Sequence, residues 1–165
     1  MGPQSNEGPL EAIMIKKLFL ISLIAACSAP EPTGLGTSIR NIEGKNQAAL
    51  SPCPSSPNCY TSTPHSGQNE GHLGSPIPVL GNRAEAKEAM LRYLLNDNAT
   101  LVKQTENYIH ATYTSAVFKF VDDVELFFPN DRLIEFRSAS RTGRSDLGVN
   151  KKRIEGLRFR YLQRE

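Results

Sequence analysis

Residues 100–138 alternate between apolar and polar side chains at a period of two. That period belongs to a strand with one face turned to a core. Segments 100–105 and 108–114 flank Glu106-Asn107, a tight hairpin turn. In 108–114, Ile109, Ala111 and Tyr113 share one face, and Tyr108, His110, Thr112 and Thr114 share the other. Segment 122–128 sets Val124, Leu126 and Phe128 against Asp123, Glu125 and Phe127. Pro129-Asn130-Asp131 forms a turn, and 133–138 returns with Ile134 and Phe136 opposite Leu133, Glu135 and Arg137. Four strands with short connections predict an antiparallel meander sheet.

A helix is expected on each side of it. Asn82 followed by Glu85 has the spacing of a capping box, and Ala86, Met90, Tyr93 and Leu94 recur at helical spacing until Asn96-Asp97-Asn98. At the C-terminus, Asn150, Ile154, Leu157 and Tyr161 form a second buried stripe. Gly156 costs about 1 kcal/mol relative to Ala in mid-helix, which points to close packing on the sheet. The fold class is therefore α+β: a four-stranded antiparallel meander with one helix before it and one after. Most of the 12 Gly and 11 Pro lie in the first 78 residues, so the core is expected from the second half.

The first half reports location. Lys16 and Lys17 precede a nine-residue apolar run, residues 18–26. That is far short of the roughly 20 residues that span a bilayer. It has the layout of an export signal, with residues 1–26 as signal peptide and Met14 as the start of translation, since Glu7 and Glu11 put acid where a signal needs base. Ile24-Ala25-Ala26-Cys27 resembles a bacterial lipobox, which makes Cys27 the lipid-attachment residue. Acyl chains there would anchor the protein to membrane. Ser28, where an acid would favour inner-membrane retention, points to the outer membrane, facing the periplasm. Residues 27–48 read as a flexible linker and 49–165 as a single domain.

With Cys27 assigned to lipid, Cys53 and Cys59 remain. An oxidising compartment makes a disulfide the default. A zinc site with His65 and His72 is an alternative whose spacings match no finger pattern, and a redox-active pair is a third.

Chemistry is sparse. Residues 131–165 carry ten basic and five acidic side chains, against nine and twelve in the rest, so the net charge of +2 hides a basic C-terminal end. A charge that small gives no argument for nucleic acid. The loop 138–150 offers a candidate anion site for a small anionic molecule or a lipid head group: Arg141, Arg144, Ser145 and Asp146, with Arg153 just beyond, around a helix start. The same residues could instead cap the helix and pair with Asp122 or Asp123. Asp122, Asp123 and Glu125, with His110 nearby, form the alternative: the acid/base set of an envelope hydrolase. Against it, Asp123 and Glu125 fall on the polar face of a strand, where charge is expected anyway. No Ser-His-Asp order, Walker loop or dinucleotide fingerprint occurs, so no cofactor or metal is expected and catalytic residues stay unassigned.

Three segments together resemble one family. They are Leu50-Ser-Pro-Cys-Pro-Ser-Ser-Pro-Asn-Cys59, Phe120-Val-Asp-Asp-Val-Glu125 and Arg137-Ser-Ala-Ser-Arg-Thr-Gly-Arg-Ser-Asp-Leu-Gly-Val-Asn-Lys-Lys-Arg153. Their order and spacing are similar to the bacterial and plastid domain of unknown function 1499 family, over about residues 49–163. Tyr60 departs from the small residues that usually follow the second Cys. The resemblance implies a secreted or membrane-associated domain, often a lipoprotein, and implies no activity.

Overall fold

The computed structural model describes residues 1–2, 37–42, 45–64 and 70–163. Residues 3–26 of the expected signal peptide, Met14 among them, the expected lipid-attachment residue Cys27 and the candidate ligand His65 lie outside these residues. Within the unit 32–165, the four expected strands are present: β5 (Thr100–Gln104), β6 (Tyr108–Thr114), β7 (Val121–Phe127) and β8 (Leu133–Ser140). They pair antiparallel in the order of the chain, with a bulge between Leu101 and Lys103.

The sheet is broader than four strands. β3 (Cys59–Thr61) and β4 (Ile77–Pro78) both pair with the outer edge of β8, giving six strands. Neither is long enough to show a period, so alternation could not reveal them. β8 also runs two residues beyond the expected end. Ser138 and Ser140 look polar enough for a loop, but both point inward to the side chain of Asn150. A separate hairpin of β1 (Thr37–Ile42) and β2 (Lys45–Leu50) occupies the second half of the segment read as a tether.

Two helices cover one face. α1 (Arg83–Asn96) starts on the expected capping box: the Asn82 side chain accepts from Glu85 N at 2.9 Å, and the Glu85 carboxylate accepts from Asn82 N. It ends where Asn98 enters the left-handed region, φ 65°, a conformation that Asn tolerates. α2 (Val149–Leu162) buries Asn150, Ile154, Leu157 and Tyr161, the stripe read from its spacing. Beneath the helices lie Ile109, Ala111, Val124, Leu126, Ile134 and Phe136. Each fully buried Leu, Ile or Phe contributes about 1.5–3 kcal/mol, so this layer is the main source of stability. The Tyr161 hydroxyl, deep in that layer, accepts from Leu80 N at 2.8 Å.

Gly156 does not mark a close helix–sheet approach. A Cβ built there meets only the flexible end of Arg160, at 3.7 Å.

The opposite face departs most from expectation. Tyr108, His110, Asp123, Glu125, Phe127, Arg137 and Ala139 are buried, not solvated. Leu50, at the end of β2, packs with Tyr108 and Phe127. Cys53 and Cys59 pack with Ala139 and are joined by a disulfide. The Pro-rich segment 50–59 thus helps to close a second, polar core.

Candidate functional site

The second core is built from the register of β6, β7 and β8. Asp123 and Glu125 point to the same face, two residues apart on β7. His110 stands opposite Glu125 on β6, and Arg137 stands opposite it on β8. Arg137 Nη1 donates to Glu125 Oε2 at 2.6 Å, and the Tyr108 hydroxyl donates to Glu125 Oε1. Arg141, just past β8, grips Asp123 with two bonds, Nε to Oδ2 at 2.9 Å and Nη2 to Oδ1 at 2.8 Å. His110 Nε2 lies 2.7 Å from Asp123 Oδ1. A carboxylate only accepts, so this ring nitrogen carries the proton.

Exposure of Asp123 is 2% and of Glu125 0%. Burial alone would raise the Asp123 pKa, but the hydrogen bonds from His110 and Arg141 and the guanidinium charge override it. They hold the carboxyl well below the usual range. The phenol of Tyr108 is pushed far up, first by burial and then by the neighbouring Glu125. This cluster is a set of locked charges. A general acid or base must exchange its proton with a reactant, and neither carboxylate is open to one.

Asp122 belongs to the other face. Its Oδ2 accepts from Arg153 Nη2 at 2.7 Å, and the Arg153 guanidinium lies over the Tyr113 ring at 4.4 Å. The three acids of the hydrolase reading are therefore not brought together.

The loop 138–150 divides in the same way. Arg141 and Arg153 are committed to acids on opposite faces of the sheet. Asp146 caps α2, accepting from Gly148 N at 3.1 Å and from Asn150 N at 2.8 Å, while Gly148 takes the left-handed turn, φ 79°. The cap carboxylate thus sits where the helix start would otherwise attract an external anion. Ser145 Oγ accepts from Leu147 N. Arg144 and Ser145 are exposed. A cleft of about 370 Å³ opens beside them, lined by Tyr60, His72, Ser145, Asp146, Leu147 and Lys151. The Tyr60 hydroxyl donates to Glu155 Oε1 at 2.8 Å. Burial first, then this carboxylate, raises its pKa to about 12.

Asn58 and Asn150 were not singled out as site residues, and they hold the loop. Asn58 Nδ2 donates to Gly143 O at 2.7 Å, Asn150 Nδ2 donates to Asn58 O at 3.1 Å, and Ser138 Oγ donates to Asn150 Oδ1 at 2.6 Å. The signal for Asn150 was its place in an apolar stripe, since a buried amide needs partners. Asn58 carried no signal beyond standing next to Cys59.

Among the described residues no His, Cys, Asp and Glu group has the arrangement of a metal site. Cys53 and Cys59 are spent on the disulfide, so zinc at that pair is excluded. Among the same residues no helix is long and apolar enough to cross a membrane.

The fold and this cluster define an α+β domain whose sheet is covered on both faces, with an apolar core under the helices and an ion-paired core behind them. The chain belongs to the family described as protein of unknown function (DUF1499), which matches residues 49–160. No curated protein and no solved structure matches the chain.

Proposed function

We propose that this chain is a non-enzymatic binding module of the bacterial envelope. Acyl chains on Cys27 hold it to the membrane, and Ser28 sends it to the outer membrane, facing the periplasm. Its partner is anionic. The observation that carries the binding reading is the state of the carboxylates. Asp123 and Glu125 are each locked to an arginine inside the fold, and Asp122 is held apart from them by Arg153. The polar residues that could have served catalysis serve stability. The exposed cations around the 138–150 loop, Arg144 with Lys151 and Lys152, face solvent and can meet an anionic partner, Lys151 also lying over the Tyr60 ring at 5.8 Å. The anion reading is thereby narrowed, because Arg141 and Arg153 are engaged internally.

Growth of the host with a clickable fatty-acid analogue tests the anchor. Wild type should be labelled and processed, and Cys27→Ser should be unlabelled and accumulate as precursor. Equal labelling of the two would refute it. Native mass spectrometry of the processed protein from its own host should show an anionic species that is lost in Arg144→Ala. A turnover product in place of a bound ligand would refute the binding reading.

A further inference from the structure

One end of the sheet carries a group of side chains that the fold does not use. The register of β6 and β7 ends with Thr114 opposite Val121, and Arg141 N donates to Val121 O at 2.9 Å. The β6–β7 loop, 115–120, and the loop from β8 into α2, 141–148, therefore emerge at the same end. The first presents Val117, Phe118 and Phe120, which are 79%, 73% and 54% exposed. The second presents Leu147, 94% exposed, followed by Val149 at the start of α2. Single exposed apolar residues are ordinary, but several displayed at one end of a sheet mark a contact surface.

The loop is built to hold this display. Ser115 closes it three times: its N–H donates to Phe120 O, its carbonyl accepts from Lys119 N, and its hydroxyl accepts from Phe120 N at 2.9 Å. The Phe118 and Phe120 rings stack on each other, centroids 5.5 Å apart, rather than folding back on the sheet. Three non-glycine residues have positive φ among the described residues. One is Asn98 at a helix end; the others are Lys119 (55°) and Leu147 (54°), one in each of these two loops. An extended Leu side chain held in water by a left-handed backbone is disfavoured twice over, and such outliers gather at functional places.

At this end stand Lys119, Arg144, Lys151 and Lys152, all exposed; of the acids beside them, Asp146 is used as a cap and Asp97, in the groove next to Val149 and Lys152, is paired with Arg160 at 3.4 Å. Apolar and aromatic tips ringed by lysine and arginine match an anionic lipid surface. The tips enter the acyl boundary and the cations meet the head groups.

We propose that this end of the domain docks on an anionic phospholipid surface, with Phe118, Phe120 and Leu147 inserted and Lys119, Arg144, Lys151 and Lys152 on the phosphates. The proposal deepens the preceding reading by making the anionic partner a bilayer. It rests on that reading for the envelope setting and not for the lipid on Cys27.

The chain contains no Trp, so Phe118→Trp in the full chain is a single reporter that is silent to insertion of the leader. Vesicles of phosphatidylglycerol should shift its emission to the blue, and brominated acyl chains should quench it. Phosphatidylcholine vesicles should do neither. Lys119→Gln and Lys152→Gln should each weaken the apparent affinity about fivefold. Leu133→Trp, at the opposite end of β8, should stay unquenched in the same vesicles. Vesicle-bound protein whose Trp at 118 is not quenched would overturn the proposal, whatever the fatty-acid labelling of Cys27 shows. So would equal quenching at 118 and 133, or a blue shift given by delipidated envelope protein and by no vesicle, which would assign the tip to a protein partner.

Discussion

Replacing Arg141 by Ala should be among the most damaging single changes in this domain, although the residue lies beyond the last strand. Asp123 and Arg141 are nearly sealed from solvent, with side-chain exposures of 3% and 7%. Losing the guanidinium removes two hydrogen bonds and leaves a buried carboxylate with His110 as its remaining named partner. Breaking such a pair from one side costs about 3–5 kcal/mol, because the surviving charge stays buried after losing its strongest counter-charge. That is a large share of the roughly 5–15 kcal/mol that holds a domain together. Urea melts of wild type, Arg141→Ala, Asp123→Asn and the double variant would measure it. The double variant should be less destabilised than the sum of the singles by about 2–3 kcal/mol, since the second change removes the stranded partner.

The pH dependence follows from the depressed Asp123 pKa. In the unfolded chain this group binds a proton near pH 4, while in the folded protein it stays ionised to much lower pH. Its contribution is therefore present above about pH 4 and is lost as pH falls below that. Arg141→Ala removes the hydrogen bonding and the guanidinium charge that help His110 to lower the pKa, so the variant should lose less on acidification. The gap between the two proteins should narrow from pH 7 to pH 3. A loss under about 1 kcal/mol at pH 7, additive singles, or a gap that widens in acid would refute the locked-charge account.

Gly156→Ala should stabilise the protein by about 0.5–1 kcal/mol, since the added methyl makes only an ordinary contact with the flexible end of Arg160, at 3.7 Å, and the unfolded chain loses freedom; a lower melting temperature would show a tight contact. Tyr60 should ionise near pH 12. Stability should therefore fall between about pH 10, where the unfolded phenol loses its proton, and that value. Glu155→Gln should bring the transition down, as read by phenolate absorbance against a Tyr60→Phe control.

What the sequence determined is whatever repeats within one element. The period of two set the faces of β6, β7 and β8, and the helical period set Ile154, Leu157 and Tyr161 in α2, because each pattern arises from the geometry of its own backbone. The capping box of α1 was equally legible, since its partners stand three residues apart. The family was legible too, in three segments spread along the chain.

What the tertiary structure decided is whatever depends on neighbours far along the chain. A row of Asp123, Glu125, Arg137 and His110 reads as a solvated face until residues 50–59 are seen to cover it, and nothing in β7 records that cover. Whether Arg141 is free for a ligand depends on Asp123, 18 residues away. Arg153 depends on Asp122, 31 residues away. Charges of opposite sign are abundant, and their pairing costs little to rearrange on paper. Only the register of β7 on β8 and the seat of α2 select which carboxylate each guanidinium meets. The apolar tip has the same origin: Phe118 and Leu147 look like ordinary core residues until the sheet is assembled and leaves both outside.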